Sequence, residues 1–230
     1  MPKPPKILLF DIDGTLLLTG GVGRIAFERA FEELFGIRDA WGELIPDGKT
    51  DPVIVDEIAT RVLNRTPNPE EYSKFCSAYS ARFRAMIGEA TNFRIMPGAV
   101  RLLDTLSKIT DWYLGVQTGN FEEVAWLKLK RGNLNKYFSF GGFGSDCRTR
   151  TGLIQAAVER GQTKHRKKIP PHHIVVIGDA PQDIRAGRKL GNRTIAVTTG
   201  HASYDELHSC GPEFLIKDLS DIPQFLKLIG

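Results

Sequence analysis

The sequence predicts an α/β fold: a Rossmann-like parallel sheet covered by helices, with an all-helical segment inserted after the first strand. Three observations carry this. Short apolar runs such as 7–10 (ILLF) and 174–177 (IVVI) show no polar alternation, as strands buried on both faces require. After Pro97-Gly98 such runs alternate with stretches of helical periodicity, which is the pattern of βαβ units. Residues 16–95, by contrast, show helical periodicity alone.

The elements follow in order. The strand at 7–10 ends in polar Asp11 and turn-forming Gly14. From 23 to 35, Ile25, Phe27, Ala30, Phe31, Leu34 and Phe35 form one helical stripe, and Gly36 stops it. Asp51-Pro52 supplies an N-cap and a first-turn proline for a second helix carrying Val53, Ile54, Val55, Ile58, Ala59 and Leu63. Pro69, Glu70 and Glu71 open a third, running toward Met86. Beyond Gly98 the expected order is helix 100–109, strand 113–117, helix 122–130, an aromatic, glycine-spaced strand at 138–143 and helix 153–158. Strand 174–177, helix 184–190 and strand 194–197 complete it. The economical division is a core of residues 1–15 and 96–230 with a helical cap of residues 16–95.

Composition removes several classes of function. Hydrophobic residues at 41% and charged residues at 25% are ordinary globular usage, which excludes disordered and fibrous chains. Apolar runs of four residues fall far short of the ~20 that cross a bilayer. The basic start, residues 1–6, leads into four apolar residues and then Asp11, too short for a signal-peptide core. Cys76, Cys147 and Cys210 are widely spaced and odd in number, without disulfide or zinc spacing, so a cytoplasmic location is expected. The net charge of +4 is a weak bias. Its one dense cluster, Lys164, Arg166, Lys167 and Lys168 around His165, has no interleaved aromatics and reads as a solvated loop rather than a nucleic-acid surface. His172 and His173 read as strand-edge residues pointing to opposite faces.

In open parallel sheets, ligands bind beyond the carboxyl ends of the strands. Asp11 and Asp13 follow the first strand there, Thr118, Gly119 and Asn120 the second, and Gly178, Asp179 and Asp183 the strand at 174–177. Four carboxylates at one rim repel each other unless protonated or bridged by a cation. Oxygen-only donors without nearby Cys or His suit a hard cation such as Mg²⁺. The competing reading is structural: Asp179 and Asp183 as caps of the helix at 184, and Thr118 or Asn120 as caps of the helix after 120.

Two glycine-rich stretches fall short of nucleotide-binding motifs. Gly48-Lys49-Thr50 lacks the P-loop's leading glycine, since Glu43 stands there and Gly42 is one residue early. Lys49 is instead expected in a cap loop that contacts substrate. Gly20-Gly21-Val22-Gly23 does not complete a dinucleotide fingerprint and reads as a hinge or the start of the cap.

DIDGT at 11–15, Thr118 and GDAPQD at 178–183 resemble the first, second and fourth motifs of the haloacid-dehalogenase-like hydrolase superfamily. TGNFEEVAWLKL and FGSDCRTRTGL resemble its phosphoglycolate-phosphatase-like branch more closely, and the insertion lies where helical-cap members carry theirs. The resemblance implies that Asp11 is a nucleophile forming an aspartyl-phosphate and that Asp13 is the general acid and base. It implies Mg²⁺ held by Asp11, the backbone carbonyl of Asp13, Asp179 and Asp183, the last directly or through water. Thr118 and backbone N–H groups near Gly119 and Asn120 would bind phosphoryl oxygens.

The third motif departs from the family pattern. No lysine lies between Lys136 and Lys164, where members place one, and the stretch 145–152 offers Arg148 and Arg150 instead. A guanidinium can neutralise Asp11 and grip a phosphate. Arg150 is preferred, and Lys128, read as a solvated mid-helix residue, is the remaining candidate. The function implied is a Mg²⁺-dependent phosphatase for a small phosphorylated metabolite, with no nucleic-acid or membrane partner. A phosphomutase, or a non-catalytic phosphate- or partner-binding member of the fold, stands as the alternative. Asp13 argues against a dehalogenase, and no cap lysine is placed for a phosphonatase. The sequence is silent on oligomeric state.

Overall fold

The computed structural model describes residues 4–230. In chain order it contains β1 (Lys6–Phe10), β2 (Leu17–Leu18), α1 (Val22–Phe35), α2 (Asp51–Leu63), α3 (Pro69–Ile87) and β3 (Arg94–Ile95). Then come α4 (Ala99–Leu106), β4 (Trp112–Gln117), α5 (Glu122–Arg131), β5 (Gly141–Gly142), α6 (Arg150–His165) and β6 (Ile174–Gly178). The chain closes with α7 (Pro181–Lys189), β7 (Arg193–Val197), α8 (Tyr204–Ser209), β8 (Phe214–Ile216) and α9 (Ile222–Ile229). Part of the basic start, residues 1–3, lies outside the described residues.

Six strands form one sheet in the order β5-β4-β1-β6-β7-β8, every neighbouring pair parallel. The two-residue period of a strand explains the unbroken apolar runs. Leu8 and Phe10 enter a core on one face with Leu102, Val116, Val175, Ile177 and Phe225. Ile7 and Leu9 enter another on the opposite face with Ile154, Ala157, Ile174 and Val176. Each such side chain contributes about 1.5–3 kcal/mol on full burial, so β1 is fixed from both sides. Register then places the chemistry, because Phe10 pairs with Val116 on one side and Ile177 on the other. The residues that follow all three strands therefore emerge level at one rim.

Helices α1–α3 are the helical insertion, packed around Phe27, Phe31, Phe75 and Phe83. Phe27 holds ring contacts with Phe75 at 4.7 Å and Trp41 at 5.3 Å between centroids. Phe121 and Val124, at the start of α5, join the same cluster and tie the cap to the core.

Several expectations need correction. The segment 16–95 is not purely helical, since Leu17 pairs with Ile95 and Leu18 with Arg94 in an antiparallel ribbon too short to leave a periodicity. Thr50, not Asp51, is the N-cap residue of α2, and Asp51 is its first helical residue, with its carboxylate turned to α5 instead. The strand expected at 138–143 is only Gly141–Gly142, with Phe140 packed against Gly115 and Gly161, where a Cβ would come within 2.4 and 2.7 Å of its ring. His172 and His173 sit in a 3₁₀ turn opened by Pro171, their rings 4.5 Å apart rather than on opposite faces. Lys164 and His165 belong to the last turn of α6, which Arg166 ends at φ 52°, while Lys167 and Lys168 are exposed loop residues. All three cysteines are free, and no helix among the described residues is long and apolar enough to cross a membrane.

Candidate active site

Asp11 is the first residue beyond β1, and its N–H donates to the Ile177 carbonyl at 2.9 Å, which pins it to β6. Asp179 directly follows β6, and Asp183 lies in the first turn of α7. Their carboxylate oxygens come within 4.8 Å of one another, and all three residues are buried. Close backbone approach makes this possible. A Cβ at Gly14 or Gly200 would stand 2.3 or 1.7 Å from Asp179 Oδ2, so the carboxylate lies between two glycines. Thr15 Oγ1 donates to Asp179 Oδ1 at 2.7 Å, and Gln117 Nε2 donates to Asp183 Oδ1 at 2.9 Å. Asp183 also accepts the Ala180 N–H at 3.4 Å, so it serves the start of α7 as well as the cluster.

Crowding perturbs these acids. Burial foremost, and then the charge of Asp183, raises the Asp11 carboxyl well above its ordinary range while Arg150 pulls it back. Burial and Asp183 likewise push Asp179 up to about 7. Arg150 is the arginine that reaches the cluster, with Nη1 3.3 Å from Asp11 Oδ1 and Nε 3.2 Å from Asp183 Oδ1. Arg148 turns to the cap, placing Nε and Nη2 3.0 and 2.7 Å from Asp56 Oδ2.

Three carboxyl groups against one guanidinium form a buried, oxygen-only donor set short of positive charge. That is the donor chemistry and charge a Mg²⁺ ion fits, with Asp11, Asp179 and Asp183 as the residues to hold it. The Asp13 carboxylate falls outside this set, so only its main chain remains for the expected contribution.

Asp13 has surroundings of its own. Lys128 Nζ donates to both carboxylate oxygens at 2.8 and 2.6 Å, and Asn120 Nδ2 donates to Oδ2 at 2.6 Å. Lys128 also donates to Asn120 Oδ1 at 2.6 Å, closing a three-residue ring of contacts. Lys128 is 4% exposed, which corrects the solvated reading. The signal was present in the sequence: Val124, Ala125, Lys128 and Leu129 form the buried stripe of α5, so the lysine sits on an inward face. A buried ammonium requires such a partner.

Thr118 is buried, and its Oγ1 accepts from Asn120 Nδ2 at 2.7 Å and from the Asn120 N–H at 3.3 Å. Neither residue caps α5, whose first N–H groups go elsewhere: Phe121 N–H to Asp51 Oδ2 at 2.8 Å and Glu122 N–H to Ser145 Oγ at 3.0 Å. Gly119 is required where it stands, because a Cβ would come within 2.4 Å of the Lys49 carbonyl. Its own carbonyl accepts the Asp51 N–H at 2.7 Å. The Lys49 ammonium is not directed at Asp11 but pairs with Glu57 Oε2 at 2.5 Å. Asp51 was missed as a residue of the site region. It is buried, and burial foremost pushes its carboxyl up to about 6 against the pull of Lys128.

The family described as haloacid dehalogenase-like hydrolase matches residues 8–197, from β1 to the end of β7. The chain belongs to that family. Among curated relatives of this haloacid dehalogenase-like hydrolase, a phosphoglycolate phosphatase of Aquifex aeolicus is 27% identical, covering 96% of each chain. A pyrophosphatase, PpaX, of Bacillus pumilus is 22% identical over 97% of this hydrolase and 95% of its own length. Among solved structures, CbbY from Rhodobacter sphaeroides, in complex with phosphate, superposes with a TM-score of 0.68 at 20% identity, covering 95% and 96% of the two chains. A hydrolase from Pseudomonas syringae gives 0.68 at 21% identity over 98% and 99%. The structural likenesses show that the hydrolase shares its fold, sheet and cap together, with those proteins.

Proposed function

We propose that this hydrolase is a Mg²⁺-dependent phosphatase of a small phosphorylated metabolite, with Asp11 as nucleophile and Asp13 as general acid and base. One observation carries the proposal. Two aspartates of a single motif occupy separate surroundings: Asp11 lies in the buried acidic cluster, while Asp13 is held by Lys128 and Asn120. Asp11 sits among the groups that would hold Mg²⁺ and so stay ionised for attack, while Asp13, outside that set, is the one of the pair left to carry a proton.

An Asp11 oxygen attacks phosphorus as the ester oxygen leaves, and Asp13 gives that oxygen its proton. Asp13 then takes a proton from the water that cleaves the aspartyl-phosphate, which returns Asp11 as a carboxylate. Mg²⁺, when bound, supplies the positive charge that lets an anionic nucleophile meet an anionic phosphate. Arg150 balances charge beside Asp11, and Thr118 with the Gly119 and Asn120 N–H groups faces phosphoryl oxygens, the Asn120 N–H exchanging its Thr118 contact for substrate. Lys49 contacts substrate by leaving Glu57. The cap of residues 16–95 covers the core of 1–15 and 96–230, restricting access to phosphoglycolate-sized esters. The three free cysteines suit a reducing cytoplasm.

The test is hydrolysis of para-nitrophenyl phosphate with Mg²⁺, with EDTA, and in Asp11→Asn. Turnover that disappears on chelation and in the variant supports the proposal. Phosphate binding without turnover in the wild type overturns it in favour of a binding protein.

A further inference from the structure

The glycine-rich start of α1 supplies no group to the reacting phosphoryl centre. Gly20 and Gly21 hold left-handed backbone at φ 65° and 90°, and α1 begins from Gly21 with no side chain bonded to its first turn. Among the described residues, no acceptor meets the N–H groups of Val22, Gly23 or Arg24. Free N–H groups and the positive end of a 14-residue helix favour a negative charge there.

A second, independent feature faces the same place. Tyr79 of α3 is 3% exposed, its ring set among Phe27, Phe83 and Phe121 with centroids 5.2, 6.3 and 6.2 Å away. Its hydroxyl has no hydrogen-bond partner among the described residues. That hydroxyl lies 3.7 Å from where a side chain at Gly23 would begin. Apart from the helix's own backbone and the adjoining residues, nothing else described comes within 4 Å of that point. A glycine thus leaves open space at the helix start, with an unpartnered donor at its wall. The ring of Tyr79 is packed away while its hydroxyl opens on this space, free to meet a polar ligand there.

The space lies on the acid side of the reaction centre. Phe121, whose ring centroid is 6.2 Å from that of Tyr79, directly follows Asn120, the donor to Asp13, and its own N–H donates to Asp51. Lys128, which grips Asp13, stands 5.9 Å from the ring centroid of Phe83, the neighbour of Tyr79. The proton donor faces the leaving oxygen, so the region beyond Asp13 receives the rest of the leaving group.

We propose that the first turn of α1 and the Tyr79 hydroxyl form a leaving-group subsite for a terminal oxyanion, either a carboxylate or a second phosphoryl group. This rests on the phosphatase function proposed above and adds the residues that select its substrate. Tyr79 is a specificity residue here, and Gly23 keeps the space open for the ligand.

The experiment measures kcat/KM with Mg²⁺ on the full chain for 2-phosphoglycolate, pyrophosphate and ethyl phosphate, the last lacking a terminal charge. Tyr79→Phe removes one donor and keeps the ring, and Gly23→Ala fills the space with a methyl group. Wild type is expected to favour at least one oxyanion-bearing substrate over ethyl phosphate. In Tyr79→Phe that ratio should fall by about tenfold to a hundredfold, the range for a lost hydrogen bond to a charged group. The substrate whose ratio falls distinguishes carboxylate from phosphoryl. A wild type without oxyanion preference, or a ratio unchanged in both variants, overturns the subsite. If no ester is hydrolysed, para-nitrophenyl phosphate included, the phosphatase proposal fails separately. The same ratio is then read as calorimetric affinity for 2-phosphoglycolate and pyrophosphate against ethyl phosphate, with the same outcomes deciding.

Discussion

Replacing Asp51 with asparagine should stabilise the protein, and by more at pH 7.5 than at pH 5. Asp51 is buried at the start of α2, where its carboxylate accepts the Phe121 N–H. Burial raises its carboxyl from 3.8 to about 6. The folded chain therefore keeps this proton to higher pH than the unfolded chain. The stability the residue contributes is complete below pH 4 and is lost as pH rises through 6. At about 1.4 kcal/mol for each pH unit between those two values, the penalty is about 3 kcal/mol above pH 7 and about half that at pH 5. The amide oxygen of the Asp51→Asn variant still accepts from Phe121, but the group cannot ionise, so the variant escapes the penalty. Urea unfolding of the metal-free protein at both pH values, followed by tryptophan fluorescence, measures the gap between variant and wild type. A gap that is equal at both pH values, or larger at pH 5, refutes the reasoning.

Four other outcomes are expected. Asp11→Asn should lower turnover of para-nitrophenyl phosphate by about a thousandfold or more while leaving the fold intact by circular dichroism. In the metal-free protein, Asp11 and Asp179 both have raised pKa values, so thermal stability should fall as pH climbs from 4 to beyond 7. Added Mg²⁺ should then raise the melting temperature more at pH 8 than at pH 5, as differential scanning fluorimetry will show. Lys128→Met should cost about 2 kcal/mol in urea unfolding, below the usual figure for a broken buried pair, because the Asp13 side chain is 37% exposed and regains water. Arg150→Lys should retain activity within about tenfold of wild type and Arg150→Met should lose about a hundredfold, since a single ammonium keeps the charge but not both contacts.

The strands around β1 were legible because both faces are buried, which strips polar residues from 7–10 and 174–177 alike. The rim was legible for a related reason, since polar residues that end such strands stand out against apolar runs. What the sequence concealed depends on distant neighbours. Asp51 beside Pro52 has the composition of a helix cap, yet the N–H it accepts lies 70 residues away on α5. Lys49 has the loop position of a substrate contact, while Glu57 two turns along α2 holds its ammonium. Lys128 differs, because the apolar stripe around it announced its burial although nothing local named Asp13 as its partner. β5 is only two residues long because the chain turns directly after it, the Asp146 N–H donating to the Phe143 carbonyl at 2.8 Å.

The pairing of Leu17 with Ile95 and Leu18 with Arg94 means that the polypeptide departs from the sheet layer and comes back at adjacent points, like a handle on a single stalk. A tight hairpin turn grafted between residues 18 and 94 would meet the same two ends without stretching either. The excised version would uncover Phe121 and Val124, so both need polar replacements to stay soluble. The closeness of those two ends makes this ribbon a junction for building chimeras.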